Sequence, residues 1–174
     1  MQKPSCDDDA FVLKYTVLAQ STDSDEQDIK IVISTPRLLQ LMRKSPMVQT
    51  DATYKVIWQG YPSIVIGTTD KDQVFHPFAL AVCNTETAED FQFIFETLHD
   101  FDLEWQPSIL LADGSDAITN GFCAVFPAPS VCLMCYFHVR HNCEKHLKRL
   151  TKGGLCGRLK YDIAHLQTCR SEEV

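Results

Sequence analysis

The chain has 174 residues, 45% hydrophobic and 22% charged, with a formal net charge of −7. That length makes one domain or slightly more, enough to bury about 70% of its unfolded surface. No run of about 18 apolar residues occurs, which argues against a membrane span, and the acidic balance argues against strong nucleic-acid binding by the chain as a whole.

The charge is unevenly spread. Asp7, Asp8, Asp9, Asp23, Asp25, Glu26 and Asp28 load the first thirty residues, whereas Arg140, Lys145, Lys148, Arg149, Lys152, Arg158 and Lys160 load the far end. Such a basic run reads first as a solvated helix face and second as a phosphate-contacting edge. Residues 1–9 lack the apolar stretch of a secretory signal. Eight cysteines without such a signal point to a reducing compartment, with the sulfurs as thiols or metal ligands. Most are scattered and read as small buried hydrophobes; Cys132 and Cys135 form the local cluster.

In chain order, residues 1–10 read as disordered, Phe11 to Ala19 as a strand, Gln20 to Gln27 as a loop and Ile29 to Ser34 as a second strand. Thr35-Pro36 opens a short helix, with threonine as cap and proline at the first helical position. From Val48 one parity is mainly apolar (Val48, Ala52, Tyr54, Val56, Trp58), while Gln49, Asp51, Thr53 and Lys55 share the other. This predicts a strand with Asp51 on its polar face. Turns at Gly60-Tyr-Pro62 and Thr69-Asp-Lys-Asp72 join it to strands over Ser63–Thr69 and Phe75–Val82, an antiparallel meander.

Thr87 with Asp90 three residues later predicts a capping box, and Phe91, Ile94, Phe95 and Leu98 supply the apolar stripe of the helix that follows. The run Ile109-Leu-Leu-Ala112 enters Asp113-Gly114 directly, the pattern of a buried strand leading into a helix. Asp113 therefore stands at the carboxyl end of a strand, where ligands of open α/β sheets bind. Ile118, Phe122, Val125 and Phe126 mark the next helix, Ser130–Cys135 a fifth strand, and Val139, Cys143, Leu147 and Leu150 a third helix. Tyr161–Leu166 suggests one more helix, and Ser171-Glu-Glu-Val174 is a helix start signal.

Strand-strand-strand-helix-strand-helix-strand-helix from Val48 is the order of a ribonuclease H-like fold. In that topology the first and fourth strands are parallel neighbours, so Asp51 and Asp113 lie side by side. Each carboxylate raises the other's pKa, and a site that keeps them together normally holds a hard divalent cation, Mg²⁺ or Mn²⁺. The plain alternative is a turn-capping Asp113 and a solvated Asp51.

Thr50-Asp-Ala-Thr-Tyr-Lys55 resembles the Asp-Gly-Thr-Phe/Tyr-Lys motif of Mutator-like element (MULE) transposases, with Ala52 in place of the usual glycine. Leu111-Ala-Asp-Gly-Ser-Asp-Ala117 is similar to the segment with their second catalytic aspartate. Val125-Phe-Pro127, Cys135-Tyr-Phe-His138 and Asn142 resemble their Phe-Pro and Cys-x-x-His block, and His76–Val82 with Glu86, Asp90 and Phe91 fits their third strand and first helix. The resemblance spans roughly residues 28 to 173, with its motifs in the family's order.

It implies an α/β domain with a ribonuclease H-like mixed five-stranded sheet flanked by helices. Residues 1–46 would form an N-terminal extension, 47–150 the core and 151–174 the start of a helical insertion, so that the fold reads as C-terminally truncated. Asp51 and Asp113 take the places of the first two acids of a catalytic Asp-Asp-Glu set holding two Mg²⁺ or Mn²⁺ ions; Asp116 is a weaker match. The third acid, a glutamate beyond the Cys-x-x-His block, has no counterpart, since Glu172 and Glu173 match the insertion helix. This chain alone is therefore expected not to cut DNA.

Cys132, Cys135, His138 and His141 recur every three residues. They read less as a zinc site than as packing, with Cys135 and His138 in structural roles beneath the active site, because a strand turns alternate side chains to opposite faces. The resemblance implies metal-dependent DNA strand cleavage and transfer, DNA transposon ends as the partner of the full-length protein, no membrane partner, a nuclear location, and room for a homo-oligomer. The competing reading is a domesticated or degenerate domain that binds DNA or protein without cutting.

Overall fold

The computed structural model describes residues 4–19, 27–53, 57, 59–126, 130–150 and 155–169. The chain divides into two compact units, Met1–Leu133 and Met134–Val174.

In the first unit, β1 (Phe11–Ala19) and β2 (Gln27–Ser34) precede α1 (Pro36–Met42), followed by β3 (Met47–Thr53), β4 (Ser63–Thr69) and β5 (Phe75–Cys83). Then come α2 (Ala88–Phe101), β6 (Ile109–Ala112), α3 (Asp116–Val125) and β7 (Val131–Met134), whose last residue passes the division. The sheet order is β1-β2-β5-β4-β3-β6-β7. Strands β3, β4 and β5 form the expected antiparallel meander, and β3 pairs with β6 in parallel.

The sheet has seven strands, not five. The reason is long-range: β2 pairs antiparallel with β5, from Lys30 opposite Cys83 to Ile33 opposite Leu80, and brings β1 with it. The N-terminal strands thus continue the same sheet. The strand expected over residues 48–58 is observed from Met47 to Thr53; Tyr54, Lys55, Val56 and Trp58 lie outside the described residues, as do Pro127, Pro129, Gly153, Gly154 and residues 170–174.

Local chemistry accounts for the helices. Thr35 accepts a hydrogen bond from the Leu38 amide at 3.2 Å, and Pro36 occupies the first turn of α1, where its missing N–H costs nothing. Thr87 and Asp90 form the predicted capping box of α2, each side chain accepting from the other's backbone amide. Phe91, Ile94, Phe95 and Leu98 of α2 are almost completely buried, each worth about 1.5–3 kcal/mol relative to exposure. Helix α3 comes so close to α2 that a Cβ on Gly121 would lie 2.6 Å from Phe91 Cβ, so the contact demands glycine. Trp105 donates its indole N–H to the Ser45 carbonyl at 3.3 Å and packs edge-on against Phe78 and Phe126.

The second unit contributes α4 (Tyr136–Leu150) and α5 (Leu155–Thr168). Glu144 on α4 pairs with Arg140 at 3.2 Å and with Lys160 of α5 at 3.7 Å. Among the described residues, no helix is long and apolar enough to cross a membrane.

One buried ion pair locks α2 to the sheet. Lys30 Nζ of β2 lies 2.7 Å from Asp90 Oδ1, whose side chain is 1% exposed. Asp90 Oδ2 also accepts from Thr85 Oγ1 at 2.6 Å and from the Thr87 amide at 2.9 Å. Burial pushes the Asp90 carboxyl up, but Lys30 and these hydrogen bonds outweigh it and hold the pKa below its ordinary value. Burial likewise pushes Lys30 down, and Asp90 outweighs it, raising the ammonium pKa. The Asp90 contribution is therefore present above the ordinary carboxyl value of 3.8 and lost as pH falls through the lower folded value. The Lys30 contribution is present below 10.5 and lost as pH rises through the higher folded value. Lys30→Met, which strands a buried carboxylate, should cost about 3–5 kcal/mol in urea unfolding at pH 7. Repeating the titration at decreasing pH should narrow the gap between variant and parent as Asp90 protonates.

Candidate functional site

The β3–β6 ladder pairs Met47 with Ile109, Val48 with Leu110 and Gln49 with Leu111. Continued by the same offset for two residues, it sets Asp51 opposite Asp113. Neighbouring strands lie about 4.8 Å apart, and partnered residues of a parallel pair project to the same side of the sheet. Asp51 is exposed near the end of β3, and Asp113 is half-buried one residue past β6.

The two faces of the sheet differ sharply. Val48, Thr50, Leu110 and Ala112 are buried on the side that carries α2 and α3. Gln49, Asp51 and Leu111 belong to the opposite, more open side. Across the sheet Asp51 is level with Val65, then Leu80 and Ile33, and Leu80 is 40% exposed. Two residues before Asp51 on the same side, Gln49 accepts a hydrogen bond from the Thr69 hydroxyl, tying β3 to β4 beside the acid.

Asp113 is oriented by the turn that follows it. Its Oδ1 accepts from the Ser115 amide at 2.8 Å, the capping role of the plain alternative. Gly114 between them has φ of 87°, a left-handed conformation that glycine adopts without strain. Ser115 is the N-cap residue of α3 but makes no side-chain cap, and Asp116 follows it, exposed, in the first turn. One carboxylate oxygen is thus engaged by the backbone. The arrangement combines two hard oxygen donors at the carboxyl ends of adjacent parallel strands, a donor set suited to a divalent cation of the Mg²⁺ type. The Ser115 amide was not singled out in the sequence, although Asp-Gly-Ser after a strand carries the signal of such a turn.

The cysteine and histidine candidates are spread along the chain. Cys132 is in β7, Cys135 precedes α4, and His138 and His141 are on α4. The Cys135 carbonyl accepts from the His138 and Val139 amides at 3.0 and 3.1 Å, so Cys135 begins the helix. His138 meets Phe137 edge-on, and His141 stacks on the same ring at 6.3 Å. Among the described residues, no three His, Cys, Asp or Glu side chains gather as a metal-holding group.

The fold is thus a mixed α/β domain with an aspartate near the carboxyl end of each of its two adjacent parallel strands. Residues 47–142 match the model of the MULE transposase domain, and the chain belongs to this transposase family. No curated protein matches the chain.

Gly114→Ala should destabilise the chain by about 1–2 kcal/mol, because a Cβ is strained at this φ. It should also release the Asp113 carboxylate from the Ser115 amide. Urea unfolding checks the first effect, and loss of protection of the Ser115 amide in hydrogen exchange checks the second.

Proposed function

We propose that this chain is a transposase catalytic domain with a ribonuclease H-like core, in which Asp51 and Asp113 hold Mg²⁺ or Mn²⁺ for DNA strand cleavage and transfer. The observation that carries this reading is the parallel register of β3 with β6, whose extension by two residues would set the two acids on adjacent strands opposite one another. The antiparallel β3–β4–β5 meander and the family match support it. When bound, the cation would activate a water or 3′-hydroxyl and stabilise the leaving oxygen. The chain's own contribution is positional. Asp51 stands on a strand paired on both sides, and the Ser115 amide holds Asp113 Oδ1 in place. Both acids belong to the open side of the sheet, where a polyanion can approach without displacing the core. DNA is the partner this chemistry serves, with transposon ends as its target and the nucleus as its place of action.

A third acid would complete the two-metal arrangement. Glu144 is already engaged by Arg140 and Lys160, whereas Glu172 and Glu173 lie outside the described residues. The two aspartates account for binding of one cation.

Titration with Mn²⁺, read by the loss of free-ion electron paramagnetic resonance signal, should show weak binding. Asp51→Asn and Asp113→Asn should each weaken it by about tenfold or more without lowering the urea midpoint. Unchanged binding in both variants would remove the paired-aspartate site. With two acids holding one cation, the chain by itself is expected to bind Mn²⁺ without nicking supercoiled plasmid. Robust nicking that both substitutions abolish would overturn that expectation and mean that another acid, such as Asp116 or Glu144, completes the site.

A further inference from the structure

Helix α4 has two unlike faces. Tyr136, Val139, Cys143 and Leu147 are half-buried on one of them. Glu144 stands at its border and turns toward α5, its Oε1 lying 3.2 Å from Arg140 Nε and 3.7 Å from Lys160 Nζ. The other face carries Phe137, His141, Lys145 and Arg149, each four residues after the last and all exposed. That spacing lines side chains up as one stripe along a helix. Glu144 is the only acid in α4, so the stripe holds two cations and no carboxylate. Among the described residues, no acid pairs with Lys145 or Arg149. Phe137 is 69% exposed, and the His141 ring lies over it within 12° of parallel.

The charge of the chain is divided in the same sense. Residues 134–174 hold eight Lys and Arg against four Asp and Glu, whereas residues 1–133 hold eight against nineteen. Long-range attraction for a polyanion therefore comes from the second unit.

We propose that this outward face of α4 binds single-stranded DNA, with Lys145 and Arg149 on phosphates and the Phe137–His141 ring pair under an unpaired base. The cations supply salt-dependent attraction to any phosphate backbone. The rings narrow the choice. A duplex keeps its bases stacked inside and offers a helix no free base face, whereas an unpaired base can cover Phe137. An acidic peptide would satisfy the cations and leave the rings in water. From Phe137 to Arg149 the helix runs about 18 Å, room for a base site followed by two phosphate sites. The choice of DNA over RNA rests on the transposase reading above; the surface itself needs no metal.

The test is fluorescence anisotropy of the full chain with a short labelled oligonucleotide of mixed sequence, in EDTA. The same sequence is offered as single-stranded DNA, duplex DNA and single-stranded RNA. Single-stranded DNA should bind about tenfold more tightly than the duplex. Phe137→Ala should weaken it about tenfold with unchanged salt dependence, and Phe137→Trp should keep it. Lys145→Ala and Arg149→Ala should each lower the slope of log K against log salt by about 0.7, whereas Arg158→Ala, an exposed cation of α5, should not. A neutral Phe137→Ala, equal affinity for the duplex, tighter binding of RNA or an equal loss in Arg158→Ala would overturn the proposal. Salt-reversible self-association that the oligonucleotide does not displace would assign the face to a second copy instead. Asp51→Asn and Asp113→Asn should leave this metal-free binding unchanged. Absent DNA binding beside intact Mn²⁺ binding would overturn this surface and not the metal site; DNA binding without Mn²⁺ binding would do the reverse.

Discussion

The parallel pairing of β3 with β6 is the constraint on which the rest of the first unit depends. Parallel neighbours cannot be joined by a tight turn, so the chain between them must leave the strand, cross over and return. Here β4, β5 and α2 occupy that connection. The connection is also the core: Phe91, Phe95 and Leu98 of α2 are buried with Ile64 and Ile66 of β4 and Phe78 and Ala81 of β5. Lys30 and Asp90 hold the start of α2 against the sheet, and Gly121 lets α3 settle beside it. The parallel register is seen in three residue pairs, Met47 with Ile109 to Gln49 with Leu111.

That register also decides which environment the acids meet. On the helix-bearing side, neighbouring positions of β3 and β6 are Val48, Thr50, Leu110 and Ala112, all buried. A slip of one residue would turn Asp51 toward that side, where an unpaired carboxylate costs far more than it can recover. The apolar parity of the strand therefore protects the polar one. Solvation of Asp51 and burial of Thr50 follow from the same alternation, and the chemistry of the edge depends on the packing behind it.

Much of this was legible because its signals are local. The alternation from Val48 to Thr53, the Thr35-Pro36 start of α1 and the Thr87–Asp90 box lie within a few residues, where side-chain spacing directly reports geometry. The seven-stranded sheet was not legible in that way. Nothing near Lys30 announces that it will face Cys83, since a ladder between distant segments leaves no periodic mark on either. Regular spacing also misleads. Cys132, Cys135, His138 and His141 recur evenly, yet a strand, a helix start and a helix present them in different ways.

The same parallel ladder bears on how the molecule reaches its native state. The β1–β2, β3–β4 and β4–β5 pairings join segments close in sequence, so little chain entropy is spent in forming them. The β3–β6 pairing joins residues about sixty positions apart and rewards that cost only when the intervening elements have packed. Closure of this ladder, like the β2–β5 pairing across about fifty positions, is a slow, non-local event in folding of the first unit. The strands that carry Asp51 and Asp113 consequently come together only after the meander and α2 are in place, and a nascent or partly unfolded chain carries its two acids apart.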